Sequence, residues 1–324
     1  MYDSMKKIRL LNMELFGGCN YSCQMCPQGE PGRESEFKKL LPLDVYKKVL
    51  DDAMNYGLEA ISLHGSGEPT LSKNFIESIQ YAKSLGLACS SFTNGYLLTE
   101  DLSEKIVDSG LDVLRISVIG YDKDTYEKWM KTDSFERVLN NASRFNEISK
   151  GSDTELHSYH LILDNENVEY ETSKYRKNWI EPTNSNAEIW MMHNWSGVYN
   201  EMPYSREGEE RSCGRPFNDV LEVRAGGLDG HNAAVVACCM TLGDDSSATL
   251  GHLDESRIID VLEGGKAKHL RNAHASGRWN DIDYCKGCDQ LYEAPESLIW
   301  SNIEGREYNQ SKMINDLRIN VDGK

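Results

Sequence analysis

The sequence predicts an α/β fold: a parallel sheet built from strand–helix units, followed by a smaller β-rich region. Three observations predict it. Short apolar runs alternate with amphipathic stretches between residues 8 and 192, giving about six strand–helix units. The alternation stops near residue 195, and a polar stretch then leads into two β-type runs around a Gly-rich turn. The cysteines fall into two separate groups, one in the first loop and one in the late region.

In chain order, residues 8–15 read as a strand and are followed by the first cysteine loop. Residues 42–56 carry helical spacing through Val45, Val49 and Leu50. Residues 60–63 form a buried-type strand that ends in Gly65-Ser66-Gly67-Glu68-Pro69, and a helix is expected over 73–85. Residues 87–92 form a third strand, ending in Thr93-Asn94-Gly95, with a helix over 99–109. Residues 113–119 are a fourth strand, with helices near 122–131 and 134–149. Residues 155–163 and 188–192 are the last two strands, separated by a helix near 166–180. Beyond a linker-like 200–212, residues 219–224 and 233–238 form a hairpin, followed by one helix near 255–273 and Cys285-Lys286-Gly287-Cys288. Strands alternating with helices imply parallel pairing with right-handed crossovers. The loops after the strand C-termini are then where chemistry is expected. The cysteine triplet, the Gly-Glu-Pro turn and the Thr-Asn-Gly turn all fall on that rim.

Composition narrows the function. The chain has 324 residues, with 35 Lys+Arg against 52 Asp+Glu and a formal net charge of −17. A chain this acidic lacks the basic footprint of a nucleic-acid partner and is repelled by an anionic membrane. No apolar run approaches membrane-spanning length, and the first seven residues carry no apolar signal stretch. The expectation is a cytoplasmic protein. Nine cysteines in a reducing compartment point to metal or catalysis rather than disulfides. Cys89, inside the apolar Leu87-Ala88-Cys89 run, reads as a buried inert thiol.

Cys19, Cys23 and Cys26 supply three thiolates from one loop. A cubane iron–sulfur cluster held by three thiolates keeps one iron open for a small molecule. A zinc site borrowing a distant fourth ligand is the alternative. The spacing directly after the first strand resembles the signature of the radical S-adenosylmethionine (SAM) superfamily. The resemblance implies a partial (β/α)6, TIM-like barrel and a [4Fe-4S] cluster whose open iron chelates SAM. One-electron cleavage then gives a 5′-deoxyadenosyl radical that abstracts a substrate hydrogen atom. It assigns SAM contacts to Met25, where the family usually has an aromatic residue, and to Ser66, Gly67, Glu68 and Pro69. In that turn the backbone and carboxylate would hold the methionine amino group. Thr93 and Asn94 match the turn after the third strand, and Ser117 matches a fourth-strand serine. An electron donor such as flavodoxin or ferredoxin is implied.

Cys213-Gly214-Arg215-Pro216, Cys238 or Cys239 after the hairpin, Gly251-His252-Leu253 and Cys285 with Cys288 resemble the SPASM extension in its shortened, twitch form. That resemblance implies one auxiliary [4Fe-4S] cluster in a small β-hairpin-plus-helix domain. A zinc ribbon-like site is the alternative. The expected organisation is a barrel over 1–195, a linker over 196–212, the auxiliary domain over 213–296 and an unassigned tail over 297–324. Within the superfamily the chain resembles the group of the butirosin-pathway 2-deoxy-scyllo-inosamine dehydrogenase. The expected function is therefore oxidation of a secondary alcohol of a sugar or aminocyclitol, with the auxiliary cluster as electron acceptor. Radical modification of a ribosomally made peptide is the alternative, although the first strand begins within ten residues of Met1 and leaves no room for a fused peptide-binding domain. A non-enzymatic iron–sulfur or zinc protein is a remote third reading. For the substrate, Arg115, His160 and Glu188 on strands and His193 after the last strand are the candidate catalytic groups. The net charge weakly favours a cationic or neutral substrate.

Overall fold

The computed structural model describes residues 7–29, 38–164, 166–199, 208–241, 247–292 and 298–303. Its frame is one sheet of ten strands in the order β10-β6-β5-β4-β3-β2-β1-β7-β8-β9. The first six are β1 (Leu10–Met13), β2 (Ala60–Leu63), β3 (Ala88–Thr93), β4 (Val113–Ser117), β5 (Glu155–Ile162) and β6 (Asn186–Met191), all paired in parallel. Helices α1 (Leu43–Met54), α2 (Phe75–Ser84), α3 (Glu100–Asp108), α4 (Lys123–Met130), α5 (Phe135–Ile148) and α6 (Val168–Tyr175) fill the crossovers. Local signals set several of their ends. Thr99 Oγ1 caps α3 by accepting from Leu102 N, and Asp122 and Thr125 form a capping box on α4. α6 runs on through a π-helical turn at Arg176–Ile180.

The registers put residues of one parity on one face. Leu11 pairs Ile61 and Leu221, and Leu114 pairs Leu156, so these apolar side chains share the face covered by the helices. The other face is polar. There Asn12 pairs Ser62 and Glu222, Phe92 pairs Arg115, Arg115 pairs His157, and Ser117 pairs Tyr159, which pairs Glu188. A strand with two faces of such different chemistry cannot slip by one residue without burying charge among leucines. The parallel α/β architecture expected for the first half is what the chain adopts, with the C-terminal strands attached to it.

The late region differs from the expectation in four ways. β7 (Val220–Arg224) does form a hairpin with β8 (Ala234–Val236), but it also pairs in parallel with β1 over Leu10–Met13. The C-terminal strands therefore extend the barrel sheet rather than forming a separate one. Residues Thr249–His252, which overlap the Gly251-His252-Leu253 motif and are not expected as a strand, form β9 against β8. The single helix expected over 255–273 is two, Ile258–Leu262 and Gly265–Ala275. Gly264, at φ −66 and ψ 163, is extended and breaks the helix there, and a Cβ on it would lie 2.9 Å from Val261 O. Finally, part of the unassigned tail is ordered: β10 (Leu298–Ser301) adds antiparallel to β6, while 304–324 lie outside the described residues. No helix among the described residues is long and apolar enough to cross a membrane.

Candidate cofactor and cluster site

The first cysteine loop leaves the C-terminal end of β1. Tyr21 N donates to Cys19 Sγ at 3.4 Å, and Cys26 N donates to the Cys23 carbonyl at 3.1 Å, so a tight turn gathers the three thiols. Asn94 Nδ2 lies 3.8 Å from Cys19 Sγ and donates to Asn20 Oδ1 at 2.8 Å. Burial pushes the Cys19 thiol up to about 12, with Glu68 and Cys26 adding to the rise. Burial also raises Cys23 well above the ordinary thiol range, reinforced by Cys26 and Cys19. Thiolates crowded this way are electrostatically unfavourable alone and are relieved by a bound cationic metal body. The donor set, three thiolates without a fourth, fits a cubane with one open iron. Among the described residues no three ligand side chains close around a point as a single ion requires. Met25 is buried in the core behind the loop.

Two turns press against this loop. Glu68 N donates to Gly18 O at 2.9 Å, and Gln28 Nε2 donates to Gly17 O at 2.7 Å and to Ser66 O. At Gly67 a Cβ would lie 2.1 Å from Phe16 O and 2.5 Å from Gly18 O. Both obstacles are backbone, so only glycine permits the approach. Gly67→Ala should cost about 1–3 kcal/mol by overpacking. It should also lose iron from the first loop, as thermal unfolding and metal analysis would read. Glu68 is buried and acts as a latch. Its Oε1 accepts from Thr70 Oγ1 at 2.6 Å and Thr93 Oγ1 at 2.7 Å, and its Oε2 accepts from Asn94 N at 2.7 Å. The carboxylate thus ties the turn after β2 to the turn after β3. Pro69, also buried, opens the short 3₁₀ turn that Glu68 caps. Ser66 N donates to Glu14 Oε2, and Ala225 N donates to Glu14 Oε1 at 3.1 Å. Glu14, which the sequence reading passed over, therefore holds the turn after β2 to the end of β7.

The second cysteine group assembles from three segments. Cys213 precedes the left-handed Gly214 (φ 76), Cys238 and Cys239 follow β8, and Cys288 N donates to the Cys285 carbonyl at 3.1 Å around Gly287 (φ 75). Burial raises the Cys285 thiol, and Cys238, Cys213 and Cys288 raise it further. Cys288 goes up to about 12, from burial and then Cys238 and Cys213. The four thiols that feel one another are therefore Cys213, Cys238, Cys285 and Cys288. Cys239 also feels Cys238, but it is not among the neighbours of Cys285 or Cys288: its Sγ accepts from Arg215 Nη1 at 2.9 Å, and its other charged neighbours are Glu222 and Arg224. Four converging thiolates fit a cluster with every iron ligated. His274 backs them, with Nδ1 3.0 Å from Ser212 Oγ and Nε2 3.4 Å from Cys285 Sγ.

On the polar face of the sheet, Tyr159 lies near Glu188, Arg115, Cys239 and Arg215. Arg115 is there, its guanidinium 5.4 Å over the Phe92 ring, together with Ser117 and Glu188, whose Oε2 accepts from Trp190 Nε1 at 3.1 Å. His160 is not. It has the opposite parity on β5, is fully buried on the helix side, and sits 2.7 Å from Glu171 Oε1 and 3.0 Å from Val118 O, stacked on Tyr175. It is a core residue, and the expectation that it faces the barrel interior is corrected. His193 packs edge-on to Trp195 in the loop after β6. The adjacent Asn194 binds that loop to the Cys285–Cys288 turn through Gly287 O (2.8 Å) and Asp289. Sequence reasoning missed His64, Tyr159, Glu222 and Arg224 on the polar face. The signal was available for Glu222 and Arg224, which alternate with Leu221, Val223 and Ala225, but not for Tyr159, which lies between Ser158 and His160. Burial, then Arg224 and Arg115, depress His64 to about 3, so it is neutral at physiological pH.

Comparison with known proteins agrees with this geometry. Residues 13–173 match the family model described as the Radical SAM superfamily. A probable GTP 3′,8-cyclase of Saccharolobus solfataricus is 35% identical over 131 residues, covering 40% of this chain and 41% of that protein. A probable GTP 3′,8-cyclase of Methanococcus maripaludis is 29% identical over 133 residues, 41% of this chain and 44% of that protein. The chain thus matches less than half the length of these curated relatives. Among solved structures, BtrN in complex with AdoMet and 2-DOIA has a TM-score of 0.58 at 17% identity, covering 91% of this chain and 98% of that one. SuiB of Streptococcus suis bound to the precursor peptide SuiA has a TM-score of 0.58 at 16% identity, covering 88% and 71%. At such identities these likenesses show the fold. Residues 13–173, which carry the Cys19-Cys23-Cys26 loop and both turns that close on it, belong to the radical SAM superfamily.

Proposed function

We propose that this chain is a radical SAM oxidase that converts a secondary alcohol of a small polyhydroxylated substrate to a carbonyl, using a second cluster held by Cys213, Cys238, Cys285 and Cys288. The observation that carries this reading is the presence of two separate groups of thiols that feel one another, with Tyr159 of the polar sheet face lying near Cys239 and Arg215 at the second. When bound, SAM and the first cluster supply a 5′-deoxyadenosyl radical for hydrogen-atom abstraction, and the second cluster supplies an acceptor for the remaining electron. The chain's own residues do the rest. Cys19, Cys23 and Cys26 hold the first cluster. The turn from Ser66 to Pro69, with Thr93, Asn94 and Ser117, shapes the SAM site, and Met25 packs behind the loop. Arg115 and Glu188 orient the substrate hydroxyl, and Glu188 receives its proton. His193, beside the second cysteine group, closes that end.

The test is anaerobic reconstitution followed by reaction with SAM and a panel of sugars, aminocyclitols and peptides. One 5′-deoxyadenosine formed per carbonyl product supports the reading. SAM cleavage coupled only to a modified peptide would replace it with peptide modification, and no SAM cleavage at all would leave a cluster-binding protein. Glu68→Ala should retain iron but weaken SAM binding about tenfold, because it strands the buried Thr93 and Asn94 donors that shape the turn. Equilibrium binding of SAM measures this, and unchanged affinity would remove Glu68 from the site.

A further inference from the structure

We propose that the polar face at β1 and β7 receives an oxyanion of the substrate, a carboxylate or a phosphate, on Arg224 and Arg215, while Glu222 accepts a hydrogen bond from the same molecule. This rests on the small-substrate reading above and names the chemistry that reading leaves open.

Arg224 is 1% exposed. Its Nη2 donates to the carbonyls of Cys239 (3.3 Å) and Thr241 (3.1 Å), while Nε and Nη1 are buried and have no partner among the described residues. Arg215 Nη1 is taken by Cys239 Sγ, and its Nε is likewise buried without a partner. Glu222 Oε1 accepts from Asn12 Nδ2 at 2.8 Å, and Oε2 has no partner. Three permanently charged donor atoms therefore remain open against one open acceptor, all within the same electrostatic neighbourhood. A buried guanidinium without a counterion is strongly unfavourable, and an uncharged hydroxyl does not neutralise it. Arg215 faces the Cys239 sulfur, with Cys238 and Cys213 nearby, so the guanidinium left without a counterion is that of Arg224, and the nearby carboxylates do not supply one. Glu14 is spent on two backbone amides, and burial shifts Glu222 toward its protonated form. His64 stays neutral chiefly because it is buried, and Arg224 and Arg115 lower it further. Arg215 and Glu222 also line a small cleft, with room of about 40 Å³, between the hairpin and the helix Gly265–Ala275. The chain's net charge of −17 thus hides a local site of opposite preference.

The experiment measures binding rather than turnover, on the anaerobically reconstituted full chain with SAM present. Unfolding midpoints are compared in inorganic phosphate, in acetate and in sodium chloride at matched ionic strength. A rise of about 2 °C or more with phosphate or acetate over chloride, lost in Arg224→Gln, is expected. Phosphate alone would mark a phosphate ester, and acetate alone a carboxylate. Arg224→Lys keeps the charge and should retain part of the shift, which keeps the test decisive if the glutamine variant does not fold. No rise with either anion, or the same rise in Arg224→Gln, would overturn the proposal. An anion site without alcohol oxidation would sink the function reading alone, and alcohol oxidation without anion preference would sink this one alone.

Discussion

Cys23→Ala is expected to abolish 5′-deoxyadenosine formation, a fall of at least about three orders of magnitude. The reason lies in the donor count. Three thiolates are the fewest that leave one iron open while holding a cubane, and removing one leaves two ligands on a turn that cannot retain it. Cys23 is the right probe because its Sγ packs 3.6 Å from Met130 Sδ, in a part of the loop that alanine fills without strain. The fold should survive, since the turn is also held by Gln28 and by Glu68 N on Gly18 O. Iron should fall from about eight to about four per chain. Normal SAM cleavage by a folded Cys23→Ala protein would reject the assignment of the first loop.

The second large effect separates the two halves of the proposed chemistry. Cys285→Ala with Cys288→Ala should lose the carbonyl product while 5′-deoxyadenosine still forms, now uncoupled from oxidation. A sharper version uses the adjacent pair. Cys238→Ala should lose about four irons, because Cys238 is the thiol that Cys285 and Cys288 feel. Cys239→Ala should keep about eight, because its sulfur faces Arg215 instead. Equal iron loss in both single variants would contradict the separation seen here. Full turnover in the double variant would show that the second group is not needed.

Much of the architecture was legible because it is local. Leu11-Asn12-Met13 and Leu114-Arg115-Ile116-Ser117 write the two faces of the sheet directly into alternation, and the cysteine spacings need no tertiary knowledge. Residue type alone misled at His160. A histidine on a strand near the expected site looked functional, yet counting parity from Tyr159 puts it among the helices. The pairing of β7 with β1 was not legible, since about two hundred residues separate them and nothing in Val220–Arg224 names its partner. The choice between Cys238 and Cys239 has the same origin. Adjacent residues after a strand point in different directions, and only the fold says which direction leads to Cys285.

The parallel pairing of β1 with β7 makes the late cysteines inseparable from the early ones. β1, which leads into the first cysteine loop, is flanked by β2 on one side and β7 on the other. Cutting the chain before β7 would strip four residues of ladder from β1 and expose its backbone amides and carbonyls along an open border. Such a border invites another chain to complete it. A fragment carrying only the first cysteine loop and its turns should therefore self-associate rather than stand as a smaller enzyme. Insertions or deletions meant to move the two cysteine groups apart would have to break the centre of the sheet to do so.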